Sequence, residues 1–105
     1  MDSIFKALAD PTRRQLLDRL LESGGQTLTE LIDGLDMRRQ SAAKHLAILE
    51  DSGLVSCQWS GREKRHYLNP VPIAEIGRRW IDKFSGDKAA AILNLKNALE
   101  DIDND

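Results

Sequence analysis

Gln40, Ser41, Lys44 and His45 gather on one arc of a segment running from about Arg39 to Asp51. The opposite arc carries Ala42, Leu46 and Leu49, the separation that a helix turning about 100° per residue produces. Arg38 and Arg39 stand at the N-terminal end, and no acidic side chain interrupts the polar arc before Glu50. Side chains of these types offer hydrogen-bond donors for guanine and adenine edges, and cations for phosphate. Arg39, Gln40, Ser41, Lys44 and His45 are therefore candidate base contacts, with Arg38 a candidate phosphate contact. Taken alone, an ordinary solvated helix face has the same composition.

The next stretch adds a second feature. Gly53 ends the helix, and Leu54 to Trp59 reads as a strand with Val55, Cys57 and Trp59 on one side. Ser60-Gly61 makes a turn and Lys64 to Leu68 returns as a second strand. The tip, Gly61-Arg62-Glu63-Lys64-Arg65, carries a net charge of +2. A basic hairpin directly after a helix with such a face is the layout of a winged helix, in which the wing flanks the groove and grips phosphates through Arg62, Lys64 and Arg65. Charges on an exposed hairpin also block edge-to-edge pairing. The two features together favour nucleic-acid binding.

Several elements must hold this helix and hairpin. Ser3 to Ala9 places Ile4, Phe5 and Leu8 on one helical face. Asp10 reads as an N-cap with Pro11 at the first helical position, where its missing N–H costs nothing. Leu16, Leu17, Leu20 and Leu21 follow at core spacing up to Gly24-Gly25. Thr27 and Glu30 have capping-box spacing, and Leu28, Leu31, Ile32 and Leu35 keep the helical period until Gly34 breaks it. Two short helices joined by a glycine-containing turn make a helix-turn-helix over 27–51, with the wing over 54–69. After Pro72, Ile73, Ile76, Gly77, Trp80, Ile81 and Phe84 form a wide apolar stripe. Ile92, Leu95, Leu99 and Ile102 then repeat with the spacing of a coiled-coil seam. A small body has little means of covering both chain ends, so 1–9 and 72–105 are expected to dimerise through Ile4, Phe5, Leu8, Ile92, Leu95, Leu99 and Ile102. The alternative is a last helix folded back on its own subunit.

With 105 residues, 41% of them hydrophobic, the chain suits a single domain, 1–105, with one modest core. Its formal charge of −2 hides an uneven distribution. Residues 1–81 hold 12 basic and 11 acidic side chains, and residues 82–105 have three lysines against six acidic groups. One cysteine excludes an internal disulfide framework and fits a reducing, cytoplasmic setting. No apolar run reaches the roughly 18 residues of a membrane span.

Other chemistries find little support. A structural zinc site needs four N/S ligands and a catalytic one three. Cys57, His45 and His66 are dispersed along the chain, so Cys57 reads as a small buried hydrophobe and no metal or cofactor is expected. No glycine-rich loop ends in Lys-Ser/Thr, no nucleophile elbow occurs, and Glu50-Asp51 diverge around a helix. An enzyme is not expected.

Three ordered motifs carry a family resemblance. Phe5-Lys6-Ala7-Leu8-Ala9-Asp10-Pro11-Thr12-Arg13 resembles the opening of the ArsR/SmtB family of bacterial winged-helix repressors. Met37 to Leu46, then Leu49-Glu50-Asp51-Ser52-Gly53-Leu54-Val55, is similar to that family's recognition helix and its exit into the wing. Gly61-Arg62 with Tyr67-Leu68 resembles its wing. The resemblance implies a homodimeric repressor whose helix-turn-helix units enter successive major grooves, with first and last helices at the dimer interface. There are departures. Arg38 stands where the family has a Ser or Thr cap, so Asp36 is the expected substitute, and Ala47 replaces a common basic residue. Thr29 to Asp36 lacks the cysteines of the family's metal sensors, and residues 70–105 contain no histidine. The chain thus resembles the branch lacking the usual metal sites.

The expected fold is mainly α with a small β-hairpin. The expected function is sequence-specific DNA binding by a homodimeric, autoregulating repressor at an inverted repeat. A winged helix that binds another protein without reading DNA is the alternative.

Overall fold

In the computed structural model the described residues are 2–81 together with 93, 94 and 97. They form α1 (Asp2–Leu8), α2 (Pro11–Glu22), α3 (Leu28–Ile32), α4 (Arg39–Asp51), β1 (Val55–Ser60), β2 (Glu63–Leu68) and α5 (Val71–Ile81). The chain divides into two compact units, residues 1–72 and 73–105. The helix-turn-helix and the wing belong to the first. This is the winged helix-turn-helix arrangement, mainly helical with one two-stranded antiparallel sheet.

Local chemistry sets the helix starts. Asp10, in extended backbone, caps α2 by accepting from the Arg13 N–H at 3.0 Å, and Pro11 follows. Thr27 caps α3: its Oγ1 accepts from the Glu30 N–H at 3.3 Å and donates to Glu30 Oε1 at 3.0 Å. At α4 the expected substitute cap does not form. Arg38, not Asp36, occupies the N-cap position with φ −72° and ψ 144°, and no side chain caps the helix there.

Two arginines on α2 finish its neighbours. Arg13 donates through Nε to the Ala7 carbonyl at 2.8 Å and through Nη2 to that of Lys6 at 2.9 Å, satisfying the end of α1. Arg19 donates through Nη1 to the carbonyls of Leu31 at 3.1 Å and Asp33 at 2.6 Å, closing the five-residue α3. Helices this short depend on such partners and on packing.

Leu16, Leu17, Leu20, Leu31, Leu46, Leu49, Leu54 and Val55 form one buried cluster with Ala7. Ile4 and Leu8, expected at a dimer interface, pack half-buried against this core, whereas Phe5 is 39% exposed. Val71, Ile73 and Trp80 on α5 are also exposed. Ile92, Leu95, Leu99 and Ile102 lie outside the described residues, as does Phe84.

The wing turns more tightly than its charge pattern suggests. The register runs from Val55 opposite Leu68 to Ser60 opposite Glu63, leaving a two-residue turn, Gly61-Arg62. Gly61 adopts φ +63°, which a two-residue hairpin turn requires and glycine accepts without strain. Lys64 and Arg65 therefore lie within β2, on opposite faces, and Arg62 alone of the three occupies the tip. A third short pairing joins the wing. Gln26 bridges His66, with the His66 N–H donating to the Gln26 carbonyl at 2.9 Å and the Gly25 N–H to the His66 carbonyl at 2.8 Å. Gly25 has φ +79°, and a Cβ there would stand 3.2 Å from the Tyr67 hydroxyl, so the close approach needs glycine twice over.

Candidate nucleic-acid interface

On α4, Ala42, Leu46 and Leu49 face the core. Gln40, Ser41 and Lys44 are exposed, and their side chains make no hydrogen bond or ion pair among the described residues. Ala43, Ala47 and Ile48 are exposed on α4 as well, Ile48 at 42%. A helix presenting free donors in this way can enter a groove, where the Ile48 side chain adds an apolar contact surface.

The flanking candidates are held differently. Arg39, at the first turn, donates from Nη1 to Thr29 Oγ1 at 2.6 Å, tying the start of α4 to α3. Arg38 is exposed beside it. His45 turns half inward, with Nδ1 3.3 Å from Arg13 Nη1 and 3.9 Å from Asp10 Oδ2. A guanidinium can only donate, so Nδ1 accepts and the ring proton lies on Nε2. His45 is thus fastened to α2 at the margin of the Gln40–Ser41–Lys44 group. The hydrogen bond from the Arg13 N–H, with the guanidinium charge of Arg13 nearby, outweighs desolvation and holds the Asp10 carboxyl below its ordinary value.

Wing cations differ sharply in their freedom. Arg62 is exposed and without an ion pair among the described residues. Arg65 pairs with Glu63 Oε2 at 2.6 Å and donates to the Gly25 carbonyl at 2.8 Å. Lys64 reaches from β2 to α4, placing Nζ 2.7 Å from Glu50 Oε1. The Cys57 thiol donates to the same carboxylate. Burial pushes Glu50 up, but the hydrogen bonds from Cys57 and Lys64 and the Lys64 charge outweigh it and hold the carboxyl below its ordinary range. Burial, then the Glu50 carboxylate, push the Cys57 thiol up to about 11. Its bond to Glu50 raises Lys64 in turn.

Between the helix-turn-helix and the wing lies an open cleft of about 610 Å³, with Thr29, Arg39, Trp59, Arg62, Lys64 and His66 among its walls. Trp59 is 69% exposed on β1, directly opposite Lys64. Residue types alone did not single out Trp59 or Glu50 for this surface. The alternation of Val55, Cys57 and Trp59 carried the signal for the tryptophan. For Glu50 the partner lies fourteen positions away, across a turn.

A winged helix-turn-helix with an exposed, donor-bearing second helix defines a class of nucleic-acid-binding domain, and known proteins agree. A family model described as a helix-turn-helix domain matches residues 8–58. The chain is 41% identical over 87 residues to YuzN of Bacillus subtilis (strain 168), an uncharacterized HTH-type transcriptional regulator, covering 77% of this chain and 95% of that one. It is 35% identical over 84 residues to the transcriptional repressor SdpR of the same organism, covering 80% and 91%. A crystal structure of an ArsR family transcriptional regulator superimposes with a TM-score of 0.68 at 36% identity, covering 78% of this chain and 82% of that one. The chain belongs to the ArsR family of helix-turn-helix transcriptional regulators, a non-enzymatic class. No helix among the described residues is long and apolar enough to cross a membrane.

Proposed function

We propose that this chain is a homodimeric transcriptional repressor that reads an inverted-repeat operator in the cytoplasm and regulates its own gene. The observation that carries the reading is the exposed α4 surface, where the Gln40, Ser41 and Lys44 side chains make no hydrogen bond or ion pair among the described residues. Arg39 and His45 border that group and complete the base-reading set. Arg38 and the wing residues Arg62, Lys64 and Arg65 supply phosphate contacts, with Arg62 uncommitted at the tip. The name of the similar protein SdpR, a transcriptional repressor, supports repression. Two copies join through α1, by Ile4, Phe5 and Leu8, and through the C-terminal segment holding Ile92, Leu95, Leu99 and Ile102. Two-fold symmetry then sets half-site centres about 10–10.5 base pairs or a multiple apart.

Fluorescence anisotropy with a duplex from the gene's own upstream region, a shuffled duplex and two salt concentrations tests this. Tight binding that prefers the native duplex and weakens steeply with salt is expected. Equal, weak, salt-insensitive binding to both duplexes would turn the reading toward a winged helix that docks on another protein.

A further inference from the structure

Three side chains that chain position scatters meet where α4 approaches the wing. One donor atom each from Glu50, Cys57 and His66 lies within 4.8 Å of the other two. Cys57 and His66 are directly opposed in the β1–β2 register, so they project from the same face of the hairpin. Glu50 reaches them from the last turn of α4, in contact with the Cys57 thiol. His66 is only 4% exposed. Its Nδ1 lies 2.9 Å from the Gln26 carbonyl, which can only accept, so Nδ1 carries the proton and Nε2 keeps its lone pair. A backbone carbonyl on one ring nitrogen is the outer-shell arrangement that orients a metal-ligating imidazole. His66 and Glu50 also line the cleft, which provides a path from solvent.

From this geometry we infer that Glu50, Cys57 and His66 form a site for a divalent transition metal of the zinc class. An imidazole nitrogen, a thiolate and a carboxylate oxygen are a ligand set such an ion accepts, with the fourth tetrahedral position open to water from the cleft. Ligands about 2.0–2.3 Å from a tetrahedral ion stand roughly 3.3–3.8 Å apart, so the donors need to close by no more than about 1–1.5 Å. Glu50 and Cys57, already in contact, draw apart while the wider separations close, through small rotations of the three side chains. Binding breaks the Cys57 S–H bond, forms a metal–sulfur bond and releases the proton to solvent, with no change of oxidation state. Lys64, whose ammonium meets Glu50 in this structure, is 39% exposed and can swing into solvent as the dication takes over the carboxylate. The ligands come from the helix and from both wing strands, so the ion would fasten all three together. The sequence contained these donors, but their distance along the chain concealed the cluster.

Cobalt(II) titration of the reduced, tag-free protein is the test, and its readout is independent of DNA. The expected result is saturation at one ion per chain, with visible ligand-field bands of a tetrahedral site and a near-ultraviolet thiolate charge-transfer band, all bleached by zinc. Cys57→Ser should abolish the thiolate band and weaken binding by more than about 100-fold, beyond the loss typical of an outer-shell partner. Glu50→Gln should weaken binding at least about tenfold. Neither substitution removes a group of the His66–Gln26 bridge, and circular dichroism checks that both variants fold. Absence of a thiolate band in the unaltered protein, or unchanged affinity in Cys57→Ser, would overturn the assignment.

Discussion

Lys64 and Arg62 sit two positions apart in one hairpin, yet their surroundings give them unequal freedom. Arg62 meets solvent at the tip, while Lys64 is engaged with Glu50 at 2.7 Å. Arg62→Ala should therefore weaken binding to cognate and random duplexes alike and lower the salt slope by about one, measured by anisotropy across a salt series. Lys44→Ala should cost about 1–3 kcal/mol on the cognate duplex and relax sequence preference if Lys44 meets a base edge, with random-sequence binding much less affected. The Glu50 carboxyl is held below its ordinary value of 4.5 by Cys57 and Lys64 despite the opposing effect of burial, so it binds fewer protons folded than unfolded. Its stabilisation is present above that value and is lost as the pH falls through the depressed one. Lys64 is raised, so its share is present below its ordinary 10.5 and disappears as the pH rises through the folded value. Urea unfolding of Glu50→Gln should accordingly show a shallower loss of stability on the acid side of about pH 4.5 than the unaltered chain. Residue type marks Lys44, Arg62 and Lys64 as candidate contacts and passes over Glu50. The pairing of Lys64 with Glu50 is not legible in the sequence, because an ion pair between α4 and β2 depends on how the hairpin lies against the helix.

Local signals place most helix and strand boundaries, though not the start of α4, where Asp36 does not take the N-cap position. The Asp10-Pro11 cap and the Thr27–Glu30 box act over three residues, and both form as their spacing implies. Thr27→Ala should cost about 1 kcal/mol in chemical denaturation, the usual worth of such a cap. Signals that cross between elements stayed hidden. Nothing near Arg19 indicates that it completes α3, twelve and fourteen positions onward, by donating to Leu31 and Asp33. Arg19→Met keeps most of the stem and removes these charged donors. It should cost about 1.5–3 kcal/mol and loosen the turn before α4, which hydrogen exchange of the Leu35 and Met37 amides would report. The wing shows the same division: alternation locates both strands, while the turn is only two residues long. Charge marks Gly61 to Arg65 as one cluster, whereas pairing of Ser60 with Glu63 puts most of that charge into β2.

Across the whole molecule, the leucine pattern locates most of the core but overreaches at Leu21, which is 72% exposed on α2. Leu31, Leu49 and Leu54 are fully buried, and they join the helix-turn-helix to the base of the wing. Leu49→Ala should cost about 2–5 kcal/mol, and its effect on DNA binding should track the loss of folded protein rather than any groove contact. The pairing of Gln26 with His66 escaped the residue pattern altogether, since a single bridge has no periodicity. It also orders events in time. A two-residue hairpin such as Ser60–Glu63 zips in about 1–10 μs from neighbouring residues alone. The contact between His66 and Gln26 spans 40 positions, so it must close a long loop of chain with α3 and α4 inside it. Closing that loop carries an entropic cost that local turns escape and that collapse of the enclosed helices offsets. The hairpin should thus exist before it is moored, with mooring as the late step of folding and its reversal as the first opening from the native state.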